Sequence, residues 1–406
     1  MKYLWQNKIL IILLIISVLL LPVAISKPSQ SQSDIIVTAI GIDKVENDFE
    51  VSIQYLVPTP ESQFKQVLKV ASMKDKSFSL AVDKVILFLG RHLGFTHCKL
   101  FVFSDSLKDE NLTNMFDYIT RTKNNTYNIN IINTNATAKD FLLATINLEG
   151  NSFLMQQSNK DVKDIQLYGS ILTIGDFYEQ YLSKSGCSIV SVAELMKKED
   201  VEGKKSSGGG ETGSIGSESE GSEDKIPVNN GKTLIIKNGK IYYSLKKEET
   251  NSFTFFDNES HNGIVEIEGV NDDYYENANV MVEIVKKKLK TQVFFEKEKP
   301  IYVANLKADI RIIEINKKNM EPEELYSQGV IITEELRNRI IDKIKDEMEN
   351  AVKISKENNF DIISVYSNFY KYKTKEFKEY LKTLSEDEHY IDNVEFRVNV
   401  EISERS

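Results

Sequence analysis

The chain has 406 residues, 41% of them apolar and 10% aromatic, and a formal net charge of −10. That length exceeds one ordinary core and predicts two or three domains, while the apolar share excludes wholesale disorder. An acidic chain gains nothing from a phosphate backbone, so no nucleic-acid partner is expected.

The first predicted element is directed at a membrane. Lys2 and Lys8 precede an unbroken apolar run over residues 9–25. As a helix the run spans about 25 Å, against ~30 Å for a hydrocarbon core, and Leu4 and Trp5 extend it. The two lysines ahead, with Lys27 alone behind, leave the N-terminus in the cytoplasm and the body outside. A cleaved signal peptide is the competing reading, carried by Ala24 and Ser26 behind Pro22. A buried core helix fits poorly, because the run has no polar face and polar residues 27–33 follow it. No Cys occurs before Cys98, so no thiol follows the run to accept a lipid. Residues 1–27 are therefore read as anchor or signal segment. If the protein stays at the membrane, the uncleaved helix is its anchor, and the mature chain is expected to keep Trp5.

The body opens with a β-branched run over residues 34–43, ended by Gly41 and Asp43, and an alternating run over 49–55. Together they predict a strand hairpin turning at Glu46-Asn47-Asp48 and closed by Pro58 and Pro60. Helical spacing follows over 77–88, then a buried strand over 98–103, a helix over 107–119, a strand over 127–132 and a helix over 137–146. Alternating strands and helices predict an α/β domain over 34–200. Residues 201–225 change to Gly, Ser and Glu and predict a disordered linker. Asn238-Gly239 between apolar runs is a strong hairpin signal. It opens a small β-rich block over 226–270, in which 253–256 and 263–267 also read as β. The last block, 271–406, predicts strands over 278–288 and 304–315 and a helix over 333–356. Leu336, Ile340, Ile344, Met348 and Ala351 form the apolar stripe of that helix, widened by Ile341 and Val352. A terminal alternating strand over 393–402 has one wet face. The whole is an α+β, multi-domain chain of mixed sheets and helices behind an N-terminal membrane anchor.

No chemistry-bearing constellation emerges. The histidines are His92, His97, His261 and His389, and none stands four residues from another. His97 beside Cys98 is the nearest approach to one, but neighbours in a strand face opposite ways. Cys98 and Cys187 lack CxxC spacing, which excludes a disulfide scaffold. One bridge between them, or two buried small hydrophobes, are the remaining readings. The stretch from Gly90 to Gly94 is too sparse for a phosphate cradle, and no GxSxG or HExxH occurs. No catalytic, cofactor-binding or metal-ligating residue is nominated, and no cofactor is expected.

Several stretches, taken in order, resemble the Ger(x)C family, the C subunits of spore-germination nutrient receptors. They are Ile40-Gly41-Ile42-Asp43, Ser79-Leu80-Ala81-Val82, the stretch from Gly90 to His97, Phe116-Asp117-Tyr118-Ile119-Thr120-Arg121, the Asn238-Gly239-Lys240 hairpin, Asn359-Phe360-Asp361-Ile362 and the terminal strand. Two features depart from the family pattern. The lipid-accepting Cys is absent, and Trp5 is the only Trp, which marks a divergent member. The resemblance implies a non-enzymatic mixed α/β subunit at the outer face of the spore inner membrane. Its implied partners are integral-membrane A-type and B-type subunits. The competing expectations are an extracytoplasmic binding or cell-envelope protein unrelated to germination, and a secreted hydrolase with a site assembled from distant carboxylates.

Overall fold

The computed structural model describes residues 34–59, 62–121, 127–146, 172–183, 185–197, 225–258, 263–316, 332–386 and 388–404. The apolar run over 9–25, the linker over 201–224 and His261 lie outside the described residues. Among the described residues no helix is long and apolar enough to cross a membrane.

Two mixed sheets organise the chain. The first begins with a three-strand meander, β1 (Ile35–Val45), β2 (Asp48–Thr59) and β3 (Ser62–Asp75). β1 and β2 pair antiparallel around the expected turn, where Glu46 takes a positive φ of 56°. Pro58 does not end the meander, because the chain returns at once as β3, antiparallel to β2. The sequence reading had no strand there. Next come α1 (Phe78–Leu89), the short β4 (Leu93–Gly94), β5 (Leu100–Ser104), α2 (Leu112–Arg121), β6 (Asn130–Thr134) and α3 (Ala138–Ile146). The helix expected from 107 starts five residues later, after a 3-10 turn over Asp105–Leu107. α4 (Ile174–Leu182) and β7 (Cys187–Lys197) follow, and then the hairpin of β8 (Lys225–Lys237) and β9 (Lys240–Leu245). Positive φ at Asn238 (52°) and Gly239 (80°) shapes that hairpin turn as the dipeptide predicts.

The strands run β3-β2-β1-β5-β6-β7-β8-β9, with β4 beside β1. β1, β5, β6 and β7 are mutually parallel. Helices cover both faces, so the central strands are apolar throughout rather than alternating. On one face α1, α2 and α4 pack Phe78, Val82, Phe116 and Phe177 against Ile40, Ile42, Phe101 and Phe103. On the other, Phe141 and Leu142 of α3 cover Ala39, Leu100 and Val102.

The second sheet has the order β10-β11-β12-β13, with β10 (Gly263–Val270), β11 (Ala278–Glu296), β12 (Lys299–Asn316) and β13 (Glu395–Glu404). β11 and β12 form one long antiparallel hairpin, and β13 joins β12 in parallel. Helices α6 (Glu334–Glu357), α7 (Val365–Tyr372) and α8 (Thr374–Thr383) supply Leu336, Ile344, Phe369 and Phe377 to the core under this sheet. The other face is wet and carries cross-strand pairs such as Glu283–Arg311 and Lys307–Glu401. The strand expected over 253–256 is instead the end of helix α5 (Lys247–Thr254) and the turn after it. Glu249 accepts from the Lys246 amide at 2.8 Å, and Glu248 and Glu249 occupy the first turn, where the helix dipole favours negative charge. Those local gains outweigh the β character of the phenylalanines.

Residues 226–270 are divided between the sheets: β8 and β9 extend the first, and β10 edges the second. β8 is a wall common to both. Leu234 and Ile236 face the core of the first sheet, while Ile235 lies in the core of the second. Period-two alternation thus serves two cores instead of a core and solvent.

Candidate functional site

The stretch Ile40-Gly41-Ile42-Asp43 does structural work inside β1. A Cβ at Gly41 would lie 3.0 Å from Leu142 Cδ1 and 3.1 Å from Ala138 Cβ, so the glycine lets α3 approach the sheet. Two residues on, Asp43 is 3% exposed and accepts from the amides of Ala138 (2.8 Å) and Lys139 (3.2 Å). It satisfies donors at the start of α3 that the helix itself leaves open. The far end of α3 is held by buried Gln54, which donates to the Leu142 carbonyl at 3.1 Å and the Thr145 hydroxyl at 2.8 Å.

Asn359-Phe360-Asp361-Ile362 repeats the device in the second unit. Ser364 stands before α7 at φ 63° and offers no side-chain cap. Asp361 takes that role, accepting from the amides of Val365 (2.9 Å) and Tyr366 (2.8 Å) and from the Tyr390 hydroxyl (2.8 Å). Burial pushes both Asp43 and Asp361 above the usual carboxylate range, against the pull of these donors. Phe360 packs between Tyr243 of β9 and Phe253 of α5, and Lys237 reaches the Asn359 carbonyl. This stretch therefore joins the second unit to the edge of the first sheet.

A cleft of about 500 Å³ opens at that junction. Gln180 of α4, Ser183 just after it, Cys187 of β7, Thr233 of β8, the end of α5 and the stretch holding Asp361, Ile362, Ser364 and Ser367 line it. Its floor is apolar, with Ile189, Leu245 and Phe253, and its walls carry hydroxyl, amide and carboxylate groups but, among the described residues, no Lys, Arg or His. The Thr233 hydroxyl is buried without a hydrogen-bond partner among the described residues. Such a surface suits hydrogen bonding to a small polar molecule. Within it Asp361 is engaged by the Val365 and Tyr366 amides and the Tyr390 hydroxyl, and burial pushes the Cys187 thiol up.

Of the residues weighed from sequence, Cys187 lines this cleft and the others stand apart from it. His97 is exposed beside Cys98, which is wholly buried and whose thiol is pushed up to about 12 by desolvation. Cys98 and Cys187 are both free thiols, in separate cores. His92 takes part through its backbone, its carbonyl accepting from Ile35 N–H at 2.8 Å. Among the described residues no three His, Cys, Asp or Glu side chains are placed to hold a metal ion. Asp117 and Arg121 form an ion pair one turn apart on the exposed side of α2, at 2.7 Å. Sequence reasoning missed the junction cleft altogether. Its walls come from five separate stretches, and its sequence signals are Cys187 and the Asp361-Ile362 end of a family-like motif.

Two helix-flanked mixed sheets joined across a shared strand, with buried aspartates used as helix anchors, define a mixed α+β protein. Residues 32–195 match the family model described as spore germination protein N-terminal domain, and residues 230–405 match spore germination B3/GerAC like, C-terminal. The chain belongs to this Ger(x)C family. A crystal structure of the GerBC protein is similar in fold, with a TM-score of 0.52 at 14% identity, covering 90% of this chain and 97% of that one. Among curated proteins none matches the chain at a significant level.

Proposed function

We propose that this chain is a non-enzymatic, membrane-tethered subunit of a spore germinant receptor, assembling with integral-membrane A-type and B-type subunits at the outer face of the spore inner membrane. The observation that carries the reading is the pair of family matches, in order, over most of the body. The tether is the apolar run over 9–25, uncleaved.

Deleting the gene should slow germination triggered by nutrients while leaving growth and sporulation normal. Germination that is unchanged across all nutrients would overturn the reading. Co-purification from detergent-solubilised spore membranes should recover the two integral-membrane subunits with this chain. Sequencing of the mature N-terminus should find Trp5 retained; a start near Lys27 would identify a cleaved signal instead.

A further inference from the structure

Large apolar side chains stand into solvent where α1 ends. Its buried face is Phe78, Ala81, Val82 and Val85. On the other side Leu87 is 79% and Phe88 65% exposed, with Leu80 half-exposed above them. A single exposed leucine needs no explanation, but two adjacent large residues on a helix whose core face is already filled do.

The position of this turn matters more than its composition. α1 closes at Gly90 (φ 65°), and the chain passes through exposed Arg91 and His92 into β4. Ile35 and Ile36 pair with Leu93 and Gly94 there. The last turn of α1 therefore lies beside the first residues of the body. Because β1, β5 and β6 are parallel, their starts share one edge of the sheet. Lys99 N–H bonds the Thr38 carbonyl at 2.9 Å, and Asn130 N–H bonds the Lys99 carbonyl at 3.0 Å, which fixes that edge. Tyr127, also more than half exposed, stands just ahead of β6 on the same edge. One pole of the first unit thus gathers Asp34, Leu87, Phe88, Arg91 and Tyr127.

The sequence names what faces this pole. The apolar run ends at Ile25, eight residues short of Asp34. An extended chain advances at most ~3.5 Å per residue, so Asp34 stays within about 30 Å of the end of the run. A body of this size is roughly 50 Å across, so the opposite pole is out of the tether's reach. We propose that the pole holding Leu87, Phe88 and Tyr127 is seated on the lipid bilayer, with Leu87 and Phe88 among the headgroups, Tyr127 at the interface and Arg91 beside the phosphates. The inference rests on the tether reading above and adds the orientation of the body and the residues that touch lipid.

The chain carries its own control, since Trp5 is its only tryptophan. The full-length protein is reconstituted in phosphatidylethanolamine–phosphatidylglycerol vesicles, with and without brominated acyl chains, which quench nearby tryptophan. Phe88→Trp and Leu87→Trp, each in a Trp5→Phe background, report on the pole. Asn47→Trp, in the same Trp5→Phe background and in the exposed turn at the other end of β1, reports on the opposite end. Emission from Trp5 in the unaltered chain, and from Phe88→Trp and Leu87→Trp, should fall in brominated vesicles, while Asn47→Trp should not change. Quenching of Trp5 with neither pole variant quenched would overturn the orientation and leave the tether standing. No quenching anywhere, Trp5 included, would overturn the tether and the orientation together. Pole variants that stay bright in lipid alone, and whose emission shifts blue only when the integral-membrane subunits are added, would assign the pole to a protein contact and overturn the lipid one.

Discussion

Asp43 and Asp361 lie in different units and do the same work by different routes. Each is a buried carboxylate at the start of a helix. Asp43 reaches across the sheet to α3, 95 residues away in sequence, so it closes tertiary structure. Asp361 caps the helix that begins four residues later and adds one distant partner, Tyr390. The first anchor fixes a layer, and the second fixes a corner where α7, residue 390 and the junction cleft meet. A family-like motif can thus mark where a helix must be held.

The comparison yields a ranked set of expectations. Asp361→Ala removes the acceptor of the Ser364, Val365 and Tyr366 amides and of the Tyr390 hydroxyl and should cost roughly 4 kcal/mol in urea unfolding. Asp43→Ala removes the acceptor of the Ala138 and Lys139 amides and of the Ser104 side chain and should cost about 3 kcal/mol. The reverse order would show that the long-range anchor matters more than the local one. Asn at either position should be milder than Ala, because it keeps an acceptor and carries no charge to desolvate.

Lys287 separates the units by pH. It is the one buried lysine among the described residues, and it reaches the Thr254 carbonyl. Burial lowers its amine to about 8 from 10.5. Between those values the unfolded chain binds more protons than the folded one, so stability rises with pH across that window. The contribution is on the order of 2 kcal/mol. Chemical denaturation at pH 7.5 and 10 should show this rise, and Lys287→Met should reduce it. A smaller effect belongs to Ser77, whose hydroxyl accepts from Leu80 N–H at 3.3 Å at the start of α1. Ser77→Ala should cost about 1 kcal/mol by thermal melting.

Much of the fold was legible where a local rule decides. The Asn238-Gly239 turn, the stripe of α6 and the alternation of β13 were read from spacing alone, and each stands where expected. Ile341 is only half-buried, at the margin of its stripe. What escaped depends on distant partners or on competing local signals. β3 pairs with β2 directly behind two prolines that read as terminators. α7 and α8 are rich in Tyr and Phe, which are poor helix formers. They are helical because Asp361 caps one and because Tyr366, Phe369, Phe377 and Tyr380 stack on one another and on Phe295. The anchoring roles of Asp43 and Asp361 were invisible because the groups they hold are named only by the folded chain.

The strand shared between the two cores has a consequence for how this molecule can be taken apart. The family blocks end at 195 and resume at 230, yet β7 and β8 on either side of that gap are hydrogen-bonded neighbours from Cys187–Lys237 to Lys197–Lys225. A protease cut within residues 201–220 would sever the polypeptide without removing one rung of that ladder. The nicked halves should stay together on a sizing column and part only in denaturant. Expressed as separate genes, they should find each other and rebuild the sheet, whereas either half alone would present an open strand edge and half a core.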